Sequence, residues 1–165
     1  MFIEMKVTGL NIDPFTNMPF IILKDMKDQN TMPIWVGLVE ASSIATKLEN
    51  IELSRPMTHD LLYDMIVKLG AIVEKVAIED VKENVFYSKV YLKKKRGRVI
   101  IDARPSDAIA LALRAKAPIM VDNDVISASK KMDVAKSGKR KKDGSDSWKD
   151  ILENLSPNDF GRYKM

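Results

Sequence analysis

Seven residues of four types with chemical capacity, Asp, Glu, His and Arg, cluster at the points where helices are expected to begin. Residues 101–114 read Ile-Asp-Ala-Arg-Pro-Ser-Asp-Ala-Ile-Ala-Leu-Ala-Leu-Arg. They set Asp102, Arg104 and Asp107 around a proline that suits a first helical turn, where its missing N–H is not needed. Polar groups at the carboxyl end of a strand, where a helix starts, are a recurrent place for a site. A second cluster, Arg55-Pro56-Met57-Thr58-His59-Asp60, repeats the arginine–proline pairing and carries the chain's single histidine. Glu40 opens another helical stretch. Carboxylates of this kind can hold a divalent cation that activates water. His59 could act as a general base near neutral pH, and Arg55 and Arg104 could grip a phosphate with helix N-termini adding backbone donors. Each has a structural counterpart. Asp60 and Asp107 suit helix starts through the dipole and free N–H groups, His59 suits a hydrogen-bonded helix-start turn, and the arginines could pair with Asp60, Asp102 or Asp107 to lock the loops. Arg114, a full helix further on, reads as a surface residue.

The elements that would position these groups follow from hydrophobic period and turn chemistry. Strands are expected at 2–10, 19–26, 31–36, 71–79, 84–92, 98–101 and 118–121, and helices at 40–48, 58–69 and from 104 onward. Thr58 and Gly70 bound the second helix as start and stop. A shift of about 65 residues lays Ile34-Trp35-Val36 on Val99-Ile100-Ile101 and Ile44-Ala45 on Ile109-Ala110. The expected fold is therefore α+β: duplicated β-β-β-α units forming a mixed sheet with helices packed on it. In this alignment Gly37 corresponds to Asp102, so the two copies differ in chemistry.

The net charge of +4 is unevenly placed. Residues 1–128 hold 17 basic and 17 acidic side chains, and the excess lies wholly in 129–165. A domain that grips nucleic acid by global charge is excluded, which leaves local patches such as Lys93-Lys94-Lys95-Arg96-Gly97-Arg98. Cysteine is absent, removing disulfides, thiolate metal sites and cysteine nucleophiles. No apolar run suits a membrane span, and the first residues lack a signal-peptide layout, so a cytoplasmic location is expected. Glycine-rich phosphate loops and histidine-rich zinc spacings are missing, arguing against triphosphate hydrolysis and dinucleotide redox chemistry. The chain divides into a domain at 1–128, a basic polar linker at 129–147 expected to be disordered, and a short amphipathic segment at 148–165, carrying Trp148, Ile151, Leu152 and Leu155, that suits docking on the domain, on a second subunit or on a protein partner.

Several stretches together resemble the bifunctional nuclease family. They are Met32-Pro33-Ile34-Trp35-Val36-Gly37 with Glu40-Ala41, Arg55-Pro56-Met57-Thr58-His59-Asp60-Leu61-Leu62, Leu69-Gly70-Ala71, Phe86-Tyr87, Ile101 through Ala112, and Ala117-Pro118-Ile119. The resemblance covers residues 2–128 and leaves the tail outside. It implies an α+β fold and hydrolysis of phosphodiester bonds in RNA and DNA. On that expectation Glu40, Asp102 and Asp107 would hold Mg²⁺ or Mn²⁺, His59, Asp60, Asp102 and Asp107 would be catalytic, and Arg55 and Arg104 would bind substrate phosphate. The alternative is a non-enzymatic regulatory module that binds a protein or ligand, in which the same acids and arginines form structural ion pairs. Open sheet edges and ten methionines add the expectation of a homo-oligomer.

Overall fold

The computed structural model describes residues 1–136, with side chains through Lys130. Seven strands form one mixed sheet: β1 (Phe2–Ile12), β2 (Pro19–Asp25), β3 (Thr31–Trp35), β4 (Ala71–Lys82), β5 (Val85–Lys94), β6 (Arg98–Ala103) and β7 (Ile119–Asp122). Four helices accompany them: α1 (Leu38–Leu48), α2 (Thr58–Lys68), α3 (Pro105–Ala115) and α4 (Asn123–Lys136). The fold is α+β, as expected. In space the strands run β3-β2-β1-β7-β4-β5-β6. Two antiparallel meanders thus flank β7, which pairs antiparallel with β1 and parallel with β4.

Alternation places the core. In β2 and β3, Ile21, Leu23, Met32 and Ile34 point one way and are buried, with Leu23 opposite Met32 and Ile21 opposite Ile34. In the centre, Val76 pairs with Ile119 and Ile78 with Val121, and all four are buried. Ile44 of α1, Ile109 of α3 and Val125 and Ile126 of α4 close over this face. Each such side chain contributes roughly 1.5–3 kcal/mol by leaving water. Ala108, Ala110 and Ala112 let α3 approach β4 and β5 closely, and α3 also packs on α1 and α2. Gly70 stops α2: at φ +75° its N–H reaches the carbonyl of Val67, a conformation suited to glycine.

Helix α4 departs from the sequence reading, which placed no element between 122 and 147. Asp122 Oδ1 accepts the N–H of Asp124 at 2.9 Å, Val125 and Ile126 are buried, and Ser129 Oγ donates to the carbonyl of Ile126. Helix therefore continues through 129–136, the first part of the expected linker. The rest of that linker and the 148–165 segment lie outside the described residues. Among the described residues no helix is long and apolar enough to cross a membrane.

Candidate active site at three helix starts

Helices α1, α2 and α3 each carry an acid at their third position: Glu40, Asp60 and Asp107, with Gly37, Met57 and Arg104 as the preceding caps. An acid there sits in the positive end of the helix dipole. Asp60 behaves conventionally, its Oδ2 accepting the Met57 N–H at 2.9 Å. Glu40 and Asp107 instead converge on one guanidinium. Arg104 Nη2 lies 2.6 Å from Glu40 Oε1, and Arg104 Nε donates to Asp107 Oδ2 at 2.8 Å. A Cβ at Gly37 would stand 2.3 Å from Glu40 Oε2, so glycine at this cap leaves the room the Glu40 carboxylate occupies.

From Asp107 the network runs inward. Asp107 Oδ1 is 3.0 Å from His59 Nε2, and His59 Nδ1 is 2.9 Å from Ser43 Oγ. Arg114 Nη2 donates to Ser43 Oγ at 3.1 Å, its Nη1 to the carbonyl of Ala110 at 3.0 Å, and its Nε to Asp60 Oδ1 at 2.5 Å. One proton arrangement satisfies the whole chain. Arg114 donates to Ser43, Ser43 donates to His59 Nδ1, and a neutral His59 donates from Nε2 to Asp107. No buried side-chain polar atom lacks a partner among the described residues.

Burial opposes ionisation of Asp107, but hydrogen bonds from Arg104 and His59 outweigh it and hold its carboxyl below the usual aspartate range. Asp60 follows the same pattern: burial opposes ionisation, and the Met57 N–H and the Arg114 guanidinium prevail. Both acids are therefore ionised at neutral pH.

The expected site residues separate into three places. Glu40, His59, Arg104 and Asp107 lie in one network, joined to Asp60 through Ser43 and Arg114. Arg55 lines a cleft of about 380 Å³ beside Asp60, Lys47 and Arg114. Asp102 stands apart on β6, exposed, paired in register with Lys89 of β5. The proposed metal set of Glu40, Asp102 and Asp107 is thus not assembled: Arg104 occupies Glu40 and Asp107, and Asp102 is elsewhere. Among the described residues no three His, Cys, Asp or Glu gather as a metal-holding group. The donor set does not fit a resident divalent cation.

Two participants escaped the sequence reading. Arg114, expected on the surface, is buried, because the start of α2 crosses the end of α3 and Asp60 meets its guanidinium. The available signal was its position on the stripe Asp107, Ala110, Leu111 and Arg114, whose middle members are core residues. Ser43 gave no such signal; it lies in the run Ala41 to Thr46, buried throughout.

Residues 21–133, more than half of the chain, match the model of the bifunctional nuclease domain. An uncharacterized protein of Mycobacterium tuberculosis is 32% identical over 162 residues, covering 95% of this chain and 97% of its own. Bifunctional nuclease 2 of Arabidopsis thaliana is 32% identical over 139 residues, 81% of this chain and 42% of the plant protein. Bifunctional nuclease 1 of Oryza sativa subsp. japonica is 32% identical over 110 residues, 64% of this chain and 33% of its own. The chain thus spans less than half the length of these plant relatives. With residues 21–133 matched to that model, the chain belongs to the bifunctional nuclease domain family.

Proposed function

We propose that this domain hydrolyses phosphodiester bonds of RNA and DNA at the mouth of the network, around Arg104 and Asp107. The observation that carries the reading is the contrast within that network. Arg104 is at the solvent end, with a side chain 67% exposed, while His59 and Ser43 behind it are buried. A phosphate arriving there competes with two carboxylates for a guanidinium whose Nη1 has no partner among the described residues. The Ser106 and Asp107 N–H groups in the first turn of α3 add donors for the phosphate. Arg104 would neutralise charge developing on the phosphoryl oxygens. Asp107 would take the attacking water's proton as the new O–P bond forms and return it to the leaving oxygen as the old P–O bond breaks, while His59, donating from Nε2, would hold that carboxylate in place. No step is assigned to a metal, since the acids present are held by arginines.

A second reading, a non-enzymatic binding module, is supported by the closure of the network: every acid in it already has a cationic or backbone partner. Cleavage separates the two. Purified protein should cut labelled single-stranded RNA and duplex DNA, with Mn²⁺, Mg²⁺ and EDTA compared. Asp107→Asn, which keeps shape and removes charge, should lower the rate by about 10²-fold or more. Equal cleavage by wild type and variant would end the nuclease reading at this site. Absence of cleavage by either would favour the module.

A further inference from the structure

The helices all lie on one side of the sheet. One core residue from each, Ile44, Ile66, Ile109 and Val125, joins the inward side chains of the strands in a single cluster. Phe2, Phe20, Ile22, Trp35 and Tyr91 stand outside that cluster, and alternation with their inward neighbours turns them to the opposite face. No helix covers that face among the described residues, and no aromatic residue there is buried. The sheet thus divides by chemistry: aliphatic side chains lie under the helices, and aromatic and basic ones stand on the bare side.

The pairing registers lay out the bare side of β1, β2 and β3 in three rows. Asn11, Phe20 and Trp35 form one, Gly9, Ile22 and Pro33 the next, and Lys6, Lys24 and Thr31 the third. The Phe20 and Trp35 rings have centroids 5.9 Å apart and planes tilted by 35°. Lys6 and Lys24 stand directly opposite each other, and neither has a hydrogen-bond or ion-pair partner among the described residues. Like charges so placed cost stability. Glu4, the one acid of these strands on this side, is paired in register with Met120. The other half of the same face shows the alternative. There Lys89 is held by Glu79 at 2.6 Å and Arg98 by Glu74 at 2.7 Å, and Lys75 lies over the Phe2 and Tyr91 rings at 5.5 and 4.6 Å. Unpaired lysines a short way along the strands from accessible rings suit a chain whose phosphates answer the charge and whose unpaired bases stack.

We propose that single-stranded nucleic acid lies across the bare side of β1, β2 and β3, with bases stacked on Trp35 and Phe20 and phosphates on Lys6 and Lys24. This rests on the nuclease reading and gives that site a track for its substrate. Trp35 is two residues before Gly37, the cap of the helix whose Glu40 holds Arg104. It also favours unpaired strands over duplex, since bases within a duplex cannot reach the rings.

Binding of a labelled single-stranded RNA tests the track apart from cleavage, in the full chain carrying Asp107→Asn so that the probe is not consumed. Adding Lys6→Glu should weaken binding by about tenfold or more, yet leave the urea midpoint equal or higher, because a like-charge pair becomes a complementary one. A merely structural lysine would not lose binding while the fold gains. Lys24→Gln should lower the slope of log affinity against log salt by about 0.7, the share of one phosphate contact on a single strand. With Trp148→Phe, Trp35 is the sole tryptophan. The RNA should then quench its emission, and a duplex of the same sequence should bind more weakly and quench less. Trp35→Ala should bind about tenfold more weakly. Unchanged binding in Lys6→Glu and Trp35→Ala, or emission that the RNA leaves unquenched, would overturn the track. So would Trp35 emission that acrylamide quenches less as protein concentration rises, since a second copy would then cover this face. Failure of wild type to cleave would remove the nuclease reading alone: loss of binding in these variants would still establish the face as a nucleic-acid surface.

Discussion

Helix α3 carries an arginine at each end, and the two are used in opposite ways. Arg114 is 4% exposed and spends its donors on Asp60, Ser43 and the Ala110 carbonyl. Arg104 is 67% exposed and is held by Glu40 and Asp107 across the mouth of the same network. A guanidinium without water around it cannot change partners, whereas one at the surface can exchange a carboxylate for a phosphate at small cost. Residue type and helix are shared, so burial alone divides the structural arginine from the one suited to substrate.

The largest way to break that contrast is Arg114→Ala. It removes the donor to the buried Ser43 and the Ala110 carbonyl and the cation beside the part-exposed Asp60, and should cost about 2–3 kcal/mol in urea unfolding. A loss below about 1 kcal/mol would mean that Arg114 is no more structural than an exposed ion pair. Lowering the pH should act next. Asp60 and Asp107 have folded pKa values below their unfolded ones, so the stability they contribute is complete above the unfolded value of about 4 and lost as pH falls through the folded values. Urea midpoints measured downward from pH 7 should hold until that window and then drop. In Arg104→Ala the part due to Asp107 should disappear at higher pH, because its main hydrogen-bond donor is gone. Gly37→Ala should be the mildest, within about 1 kcal/mol of wild type. Its φ of −72° suits alanine, and only the flexible end of Glu40 must move. That movement would release Arg104 on one side and sharpen the distinction between holding the guanidinium and holding the fold.

Much of the frame was legible because it is local. Alternation marked the strands, and Gly70 and Pro105 marked a helix end and a helix start. The candidate groups Glu40, His59, Arg104 and Asp107 were legible as types at helix starts, since the dipole and the free N–H groups act within one turn. What joins them was not. Arg104 bridges α1 and α3, His59 bridges α2 and α3, and Arg114 is buried by a helix more than fifty residues away in sequence. Asp102 shows the opposite error. It lies two residues before Arg104, yet it is still on β6, exposed and opposite Lys89, while Arg104 has left the strand for the cap of α3. Helix α4 was missed because its buried residues are few, Val125, Ile126 and Ser129, in a segment whose composition is that of a tail.

The most direct test is the cleavage rate of Arg104→Ala beside wild type, with urea unfolding run on the same preparations. The predicted result is a fall of about 10²-fold or more in rate with stability changed by about 1 kcal/mol or less. Full cleavage by Arg104→Ala, or a loss of activity matched by a loss of fold, would contradict the assignment of Arg104 as the arginine that meets substrate.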